Sequence, residues 1–236
     1  MRVLHVLHYM PPFPGAVVDH LVALGRALQS RGDSLVVAFP EARPWHDPLR
    51  AVSEVLIVPS IERPLRAGFG PRLRQIVAEK SIDVTQLWFS FALPLALALG
   101  PRRPVGPVLY HWHNPPLSLL AAETAADTER RRLPRFWAGS LARLADRRAI
   151  DLHLAISGEI EQLLLGARWT SPTKLRLLPN GIVALPAAER RREGTLADPV
   201  IGAVMNFRPQ KDHATLLRAF AHLRDSLPEA RLLLLG

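Results

Sequence analysis

Cysteine is absent from the 236 residues. That excludes a disulfide framework, a thiolate zinc site and a cysteine nucleophile. Lysine is scarce: Lys80, Lys174 and Lys211 are the only three, so 27 of the 30 basic residues are arginine. Long apolar runs are also missing. The stretch 87–100 is broken by Ser90 and Pro94 and falls short of the ~18–20 residues that cross a bilayer. It reads as a buried strand and helix. The amino terminus carries Arg2, His5 and His8 without a small-residue cleavage site, which is not the pattern of a secretory signal. Several site motifs are absent too. There is no Gly-x-x-x-x-Gly-Lys-Ser/Thr loop for triphosphates and no Gly-x-Ser-x-Gly elbow. Gly68-Phe69-Gly70 does not complete a dinucleotide fingerprint. The expected compartment is the cytoplasm, extending to the inner face of the membrane.

What is present suffices for a core. Hydrophobic residues make up 48% and charged residues 22%, an ordinary globular composition for one large domain or two small ones. The net charge is +9. Two readings of it stay open: attraction to an anionic partner, or the arginine usage of a GC-rich genome. The scatter of the arginines favours the second for most of them. Arg130-Arg131-Arg132-Leu133-Pro134-Arg135-Phe136-Trp137 suits an anionic membrane surface or a solvated helix face with Phe136 and Trp137 turned inward. The second is favoured, and peripheral membrane contact stays open. No nucleic-acid module is recognisable, so no nucleic-acid partner is expected.

Apolar periodicity alternates along the chain. Strands are expected at 2–8, 34–39, 55–58, 83–89, 105–111, 151–156 and 175–178. Helices are expected at 17–30, 71–80, 128–148 (bent at Pro134) and 158–165. This alternation implies a parallel α/β sheet. Residues 183–199 change character, with Pro186, Pro199 and Glu189-Arg190-Arg191-Arg192-Glu193, and read as a linker. A fresh βαβ unit follows: strand 200–205, helix 214–227, strand 231–235. The fold class is therefore α/β. A Rossmann-like domain occupies 1–182, a linker 183–199, and the opening unit of a second Rossmann-like domain 200–236. Two strands and one helix cannot enclose a core, so the run Leu232-Leu233-Leu234-Leu235 calls for something to cover it.

Three places carry candidate chemistry. His111 and His113 lie at the carboxyl end of a predicted parallel strand, where open α/β sheets bind ligands. With no third ligand nearby, a metal site is not expected. A neutral histidine there suits a sugar hydroxyl or phosphate oxygen; a packed aromatic loop is the competing reading. Gly15 stands between the first strand and first helix, where backbone N–H groups favour anions; a plain β–α turn is the competing reading and, for this residue alone, the favoured one. Arg208-Pro209-Gln210-Lys211 stands at the next strand-to-helix junction. Its two cations suit a diphosphate, or are solvated surface charge.

Taken in order, these pieces resemble glycosyltransferase family 4 of the GT-B enzymes. The specific stretch is Asn206-Phe207-Arg208-Pro209-Gln210-Lys211-Asp212-His213, followed by Leu216-Leu217-Arg218-Ala219-Phe220. Supporting it are Ile82-Asp83-Val84, His111-Trp112-His113-Asn114, residues 151–159 and Leu177-Leu178-Pro179-Asn180-Gly181-Ile182. The resemblance implies two Rossmann-like domains facing across a cleft, one for a nucleotide-sugar donor and one for the acceptor. It implies transfer with retention at the anomeric carbon and no cofactor or metal. On it Lys211 contacts the donor diphosphate. Arg208 substitutes for the arginine that many members carry where Asn206 stands. His113 lies beside the transferred sugar. Gly15 and Ala16 form the loop that approaches phosphate and acceptor. Gln86 and Trp88 depart from the family, standing where many members show histidines. The acceptor is a glycan, a lipid-linked glycan or a small molecule. The family's Glu-x7-Glu donor segment is expected beyond Gly236, so this chain is expected to be a fragment that alone transfers little or no sugar. The alternative is a non-catalytic binding or scaffold protein of the same fold, completed by a partner subunit.

Overall fold

The computed structural model describes residues 1–11, 14–66, 68–100, 106–114, 135–181, 199–205, 207 and 211–236, with only the backbone of 135–138. Seven short strands form one sheet: β1 (Arg2–Leu7), β2 (Ser34–Phe39), β3 (Glu54–Ile57), β4 (Val84–Trp88), β5 (Val108–Trp112), β6 (Leu152–Ala155) and β7 (Leu175–Leu177). Every neighbouring pair is parallel, in the order β3-β2-β1-β4-β5-β6-β7. The connecting helices are α1 (Ala16–Gln29), α2 (Asp47–Arg50), α3 (Phe69–Glu79), α4 (Ala92–Leu99), α5 (Arg135–Arg148) and α6 (Gly158–Gly166). Among the described residues no helix is long and apolar enough to cross a membrane.

Strand alternation divides the side chains into two layers. Leu4, Val6, Leu87, Val108, Tyr110, Trp112 and Ala155 belong to one core cluster, shared with helices α3 to α6. Leu7, Val37, Phe39 and Trp88 belong to the other, under α1 and the segment around α2. Helix α1 presents Val18, Leu21, Gly25 and Leu28 to that layer, the three-and-four spacing of an amphipathic helix. Gly25 permits the approach: a Cβ there would lie 2.8 Å from the carbonyl oxygen of Val52.

Element boundaries follow the apolar pattern, with one shift that matters. Strand β5 begins at Val108 rather than 105. Gly106 has φ +80° and Pro107 has no N–H to give a ladder. The strand ends at Trp112, and His113 is the first residue beyond it. Helix α2 has no clear sequence signal; it follows a 3-10 turn at Pro44–His46. The part of the long arginine-rich helix before residue 135 lies outside the described residues.

The chain divides into two compact units, the first carrying β1 to β7. The second carries β8 (Val200–Val204), α7 (His213–Ser226) and β9 (Arg231–Leu235), with β8 and β9 parallel. This is a βαβ unit of the Rossmann type. No residue of α7 is buried, and Val204, Leu233 and Leu235 are exposed.

Candidate functional site

Strands β1 and β4 are neighbours from which successive connections leave in opposite directions, the switch point at which parallel sheets open a crevice. On the α1 side of this region stand His5 of β1, Gln86 and Trp88 of β4, and His111 of β5. Strand register places His5 beside Gln86 and Trp88 beside His111. Just past the strand ends lie Phe89 and His113, and α1 adds His20.

The rings form a continuous cluster. The His113 imidazole stacks on Trp88 at 4.7 Å, lies 4.7 Å from Phe89 and 4.2 Å from His111. Trp88 also touches His5 at 5.3 Å, His20 at 5.8 Å and His111 at 4.8 Å. The Gln86 amide is 3.0 Å from His111 Nδ1. Burial, reinforced by mutual repulsion among the histidines, keeps the rings neutral. It pushes His5 and His113 down to about 3 and His111 to about 4, and lowers His20 as well. In this cluster the buried ring nitrogens His113 Nε2, His111 Nε2, Trp88 Nε1 and His5 Nδ1 have no hydrogen-bond partner among the described residues. A buried polar atom without a partner is costly, and these gather around one spot. Neutral imidazoles and aromatic faces suit a hydroxylated, uncharged group better than an anion. Among the described residues no three His, Asp or Glu side chains are placed to hold a metal ion.

Gly15 is the N-cap of α1 and Ala16 its first residue. A Cβ on Gly15 would collide with the Tyr9 hydroxyl. The Tyr9 ring packs against Phe89 at 5.3 Å, and Phe89 against His113. The α1 start and the histidine cluster are thus one aromatic line. In the second unit Lys211 is exposed and immediately precedes Asp212, the N-cap of α7. The Asp212 carboxylate already accepts from the Thr215 N–H at 3.2 Å, so part of this helix start is occupied by an acid of the chain itself. Asn206 and Arg208 lie outside the described residues.

Sequence reasoning found His111 and His113 but missed His5, His20 and Phe89. The available signal was polar residues in buried positions. His5 interrupts the apolar strand at 2–7, and Gln86 occupies the equivalent place in β4.

The sequence pattern described as Glycosyltransferase Family 4 matches residues 17–184. The chain belongs to glycosyltransferase family 4. No curated protein matches it in sequence. Among solved structures, HepE of Anabaena in complex with UDP and glucose superposes with a TM-score of 0.60 at 18% identity, covering 98% of this chain and 60% of that one. A Rickettsia africae glycosyltransferase gives 0.61 at 10% identity, with coverages of 100% and 68%. A UDP-N-acetylglucosamine 2-epimerase assigned in Listeria monocytogenes gives 0.52 at 13%, with coverages of 99% and 61%. At such identities the likeness is one of fold. This family 4 chain therefore carries the N-terminal Rossmann-like domain of the GT-B fold and the opening unit of a second, and it covers 60% of the HepE chain bound to UDP and glucose.

Proposed function

We propose that this chain belongs to a retaining glycosyltransferase that moves a sugar from a nucleotide-sugar to a hydroxyl of a glycan, lipid-linked glycan or small-molecule acceptor. The observation that carries the reading is the neutral, half-buried His113 with its unpartnered Nε2 among aromatic faces at the carboxyl end of β5. In this reading residues 1–182 form the acceptor side and 200–236 open the donor domain. His113 hydrogen-bonds a hydroxyl of the transferred sugar, and Trp88 and Phe89 present ring faces to its C–H groups. The Gly15–Ala16 loop approaches the phosphates at the start of α1. Lys211, with Arg208 and Asn206, steadies the diphosphate. The bond from the anomeric carbon to the diphosphate breaks as the acceptor oxygen bonds to that carbon. The acceptor's proton leaves with the diphosphate. The protein supplies position and charge stabilisation rather than a covalent partner. Binding of UDP by HepE makes a uridine donor the first to try, and cytoplasmic synthesis near the membrane suits a lipid-linked acceptor.

The test uses the natural gene product with labelled nucleotide-sugars and an acceptor panel. Sugar transfer with retention is expected, reduced about a hundredfold in His113→Ala. Equal turnover by wild type and His113→Ala overturns the reading. The exposed Val204, Leu233 and Leu235 favour a second reading, a binding protein of this fold whose second unit is covered by a partner subunit. Co-purification of a stoichiometric partner with no transfer by the complex would select it.

A further inference from the structure

The sheet face opposite the histidine cluster holds a second polar chain that the proposed reaction does not use. The indole Nε1–H of Trp112 donates to His153 Nδ1 at 2.9 Å, both groups buried. His153 Nε2 lies 3.1 Å from Asp146 Oδ1, which also accepts from the Thr170 hydroxyl at 2.9 Å. Lys174 Nζ donates to the backbone oxygens of Asp146 and Ile150 at 2.6 and 2.9 Å. The direction of this chain is fixed by chemistry. An indole N–H can only donate, so His153 Nδ1 must carry a lone pair and its proton must be on Nε2, facing the carboxylate. Burial lowers the His153 pKa against the opposing pull of Asp146, with Lys174 adding to the fall, so the ring is neutral. Burial alone would raise Asp146, but hydrogen bonds from His153 and Thr170 and the charge of Lys174 keep its carboxyl below the usual range.

The position of this chain gives it a role. Trp112 is the last residue of β5, and His113 is the next residue. Trp112 belongs to the layer under α3 to α6, whereas His113 joins the cluster with Trp88 on the other side. Anchoring the Trp112 indole therefore fixes the rotation of the strand end and the direction in which His113 leaves it. Three elements converge on that anchor: Asp146 from α5, His153 from β6, and Thr170 with Lys174 from the segment before β7.

We propose that Asp146 and His153 are positioning residues that clamp the Trp112 indole and thereby set the ring of His113. Their importance for sugar transfer rests on the functional reading above; the coupling itself does not. The test is therefore made first without substrate, by nitrogen-15 NMR of histidine and indole groups in the 236-residue chain. Wild type should show His153 with a protonated Nε2 and an unprotonated Nδ1 at neutral pH. The opposite tautomer or a charged ring overturns the clamp. In His153→Phe the Trp112 indole N–H and the His113 ring resonances should both move. In His153→Asn, whose side-chain oxygen returns an acceptor near the Nδ1 position, they should move back towards wild type. Unmoved His113 resonances in folded His153→Phe would mean that His153 serves stability alone, and would overturn the proposal. Should His153→Phe not fold, Trp112→Phe asks the same question of the His113 resonances. In a transfer assay His153→Phe should lower kcat about tenfold with little change in donor KM. Absence of transfer by wild type would count against the functional reading and leave the NMR result standing.

Discussion

The two units of the chain are written in the same alternating pattern, yet they end in opposite states. In the first, Leu4, Leu7, Leu87 and Leu93 are 0% exposed, because helices lie on both faces of a seven-stranded sheet. In the second, Leu233 and Leu235 are 49% and 51% exposed, although the run 232–235 is as apolar as any strand of the first. An apolar strand records the environment it is suited to; whether it gets that environment depends on how many layers surround it. Parallel strands need cover on both faces, and one helix beside two strands cannot provide it.

The largest expected effect tests that contrast directly. Leu4→Ala should cost about 2–5 kcal/mol of unfolding free energy, the range for truncating a filled core position. Leu235→Ala should stay within about 0.5 kcal/mol, as for an exposed side chain. Urea unfolding of both variants measures it. Equal losses would mean that the second unit is packed in solution after all.

Next comes pH. His5, His111 and His113 have folded pKa values depressed to about 3 or 4. Their unfolded counterparts therefore bind protons first as pH falls. Stability from keeping these rings neutral is fully present above their unfolded value, near 6.5, and is lost progressively down to the folded values. For His5 alone, going from pH 6.5 to 4.5 should cost roughly 2.5 kcal/mol. Replacing His5 with Phe should flatten the fall of stability over that interval. A profile equally steep in the variant would remove His5 from the buried cluster.

The strands and their parallel direction were legible because period-two and helical apolar patterns are local, and a parallel crossover follows from their alternation; the order of the strands was not. The place of His111 and His113 at a strand end was legible through neighbouring residues in the chain. The rest of the cluster was not, because it is assembled across the sheet. His5 and His20 are neighbours of Trp88 only once β1 and α1 are set beside β4. The Asp146–His153–Trp112 chain was invisible for the same reason, since its residues come from α5, β6 and β5. The sequence reading also placed β5 too early. Val105 looked like the start of an apolar run, but the left-handed backbone of Gly106 and the missing N–H of Pro107 put the start of the strand at Val108.

A smaller effect separates binding from stability. Lys211 is exposed, so Lys211→Ala should leave the unfolding curve unchanged. In the nucleotide-sugar reading it should weaken donor binding about tenfold, the scale of one charge-assisted contact to a diphosphate. Calorimetry with the donor measures it. Unchanged affinity would take Lys211 out of the diphosphate site.

The smallest expected effect compares the helix starts of the two units. Ser157 caps α6 from an extended backbone, φ −147°, accepting from Ile160 N–H. Asp212 caps α7 with φ +44°, accepting from Thr215 N–H. Ser157→Ala should cost about 1 kcal/mol, the usual worth of a cap. Asp212→Gly should cost less, because glycine relaxes the left-handed backbone while the cap is lost. Relief of backbone strain offsets the lost cap only at Asp212, so thermal melting should separate the variants. The same substitution has a second consequence. It removes a carboxylate beside Lys211 and frees the Thr215 N–H, so inorganic pyrophosphate should bind Asp212→Gly more tightly than wild type. If its affinity is unchanged, the acid at the start of α7 is not competing with an anion, and the diphosphate is held elsewhere than on that helix end.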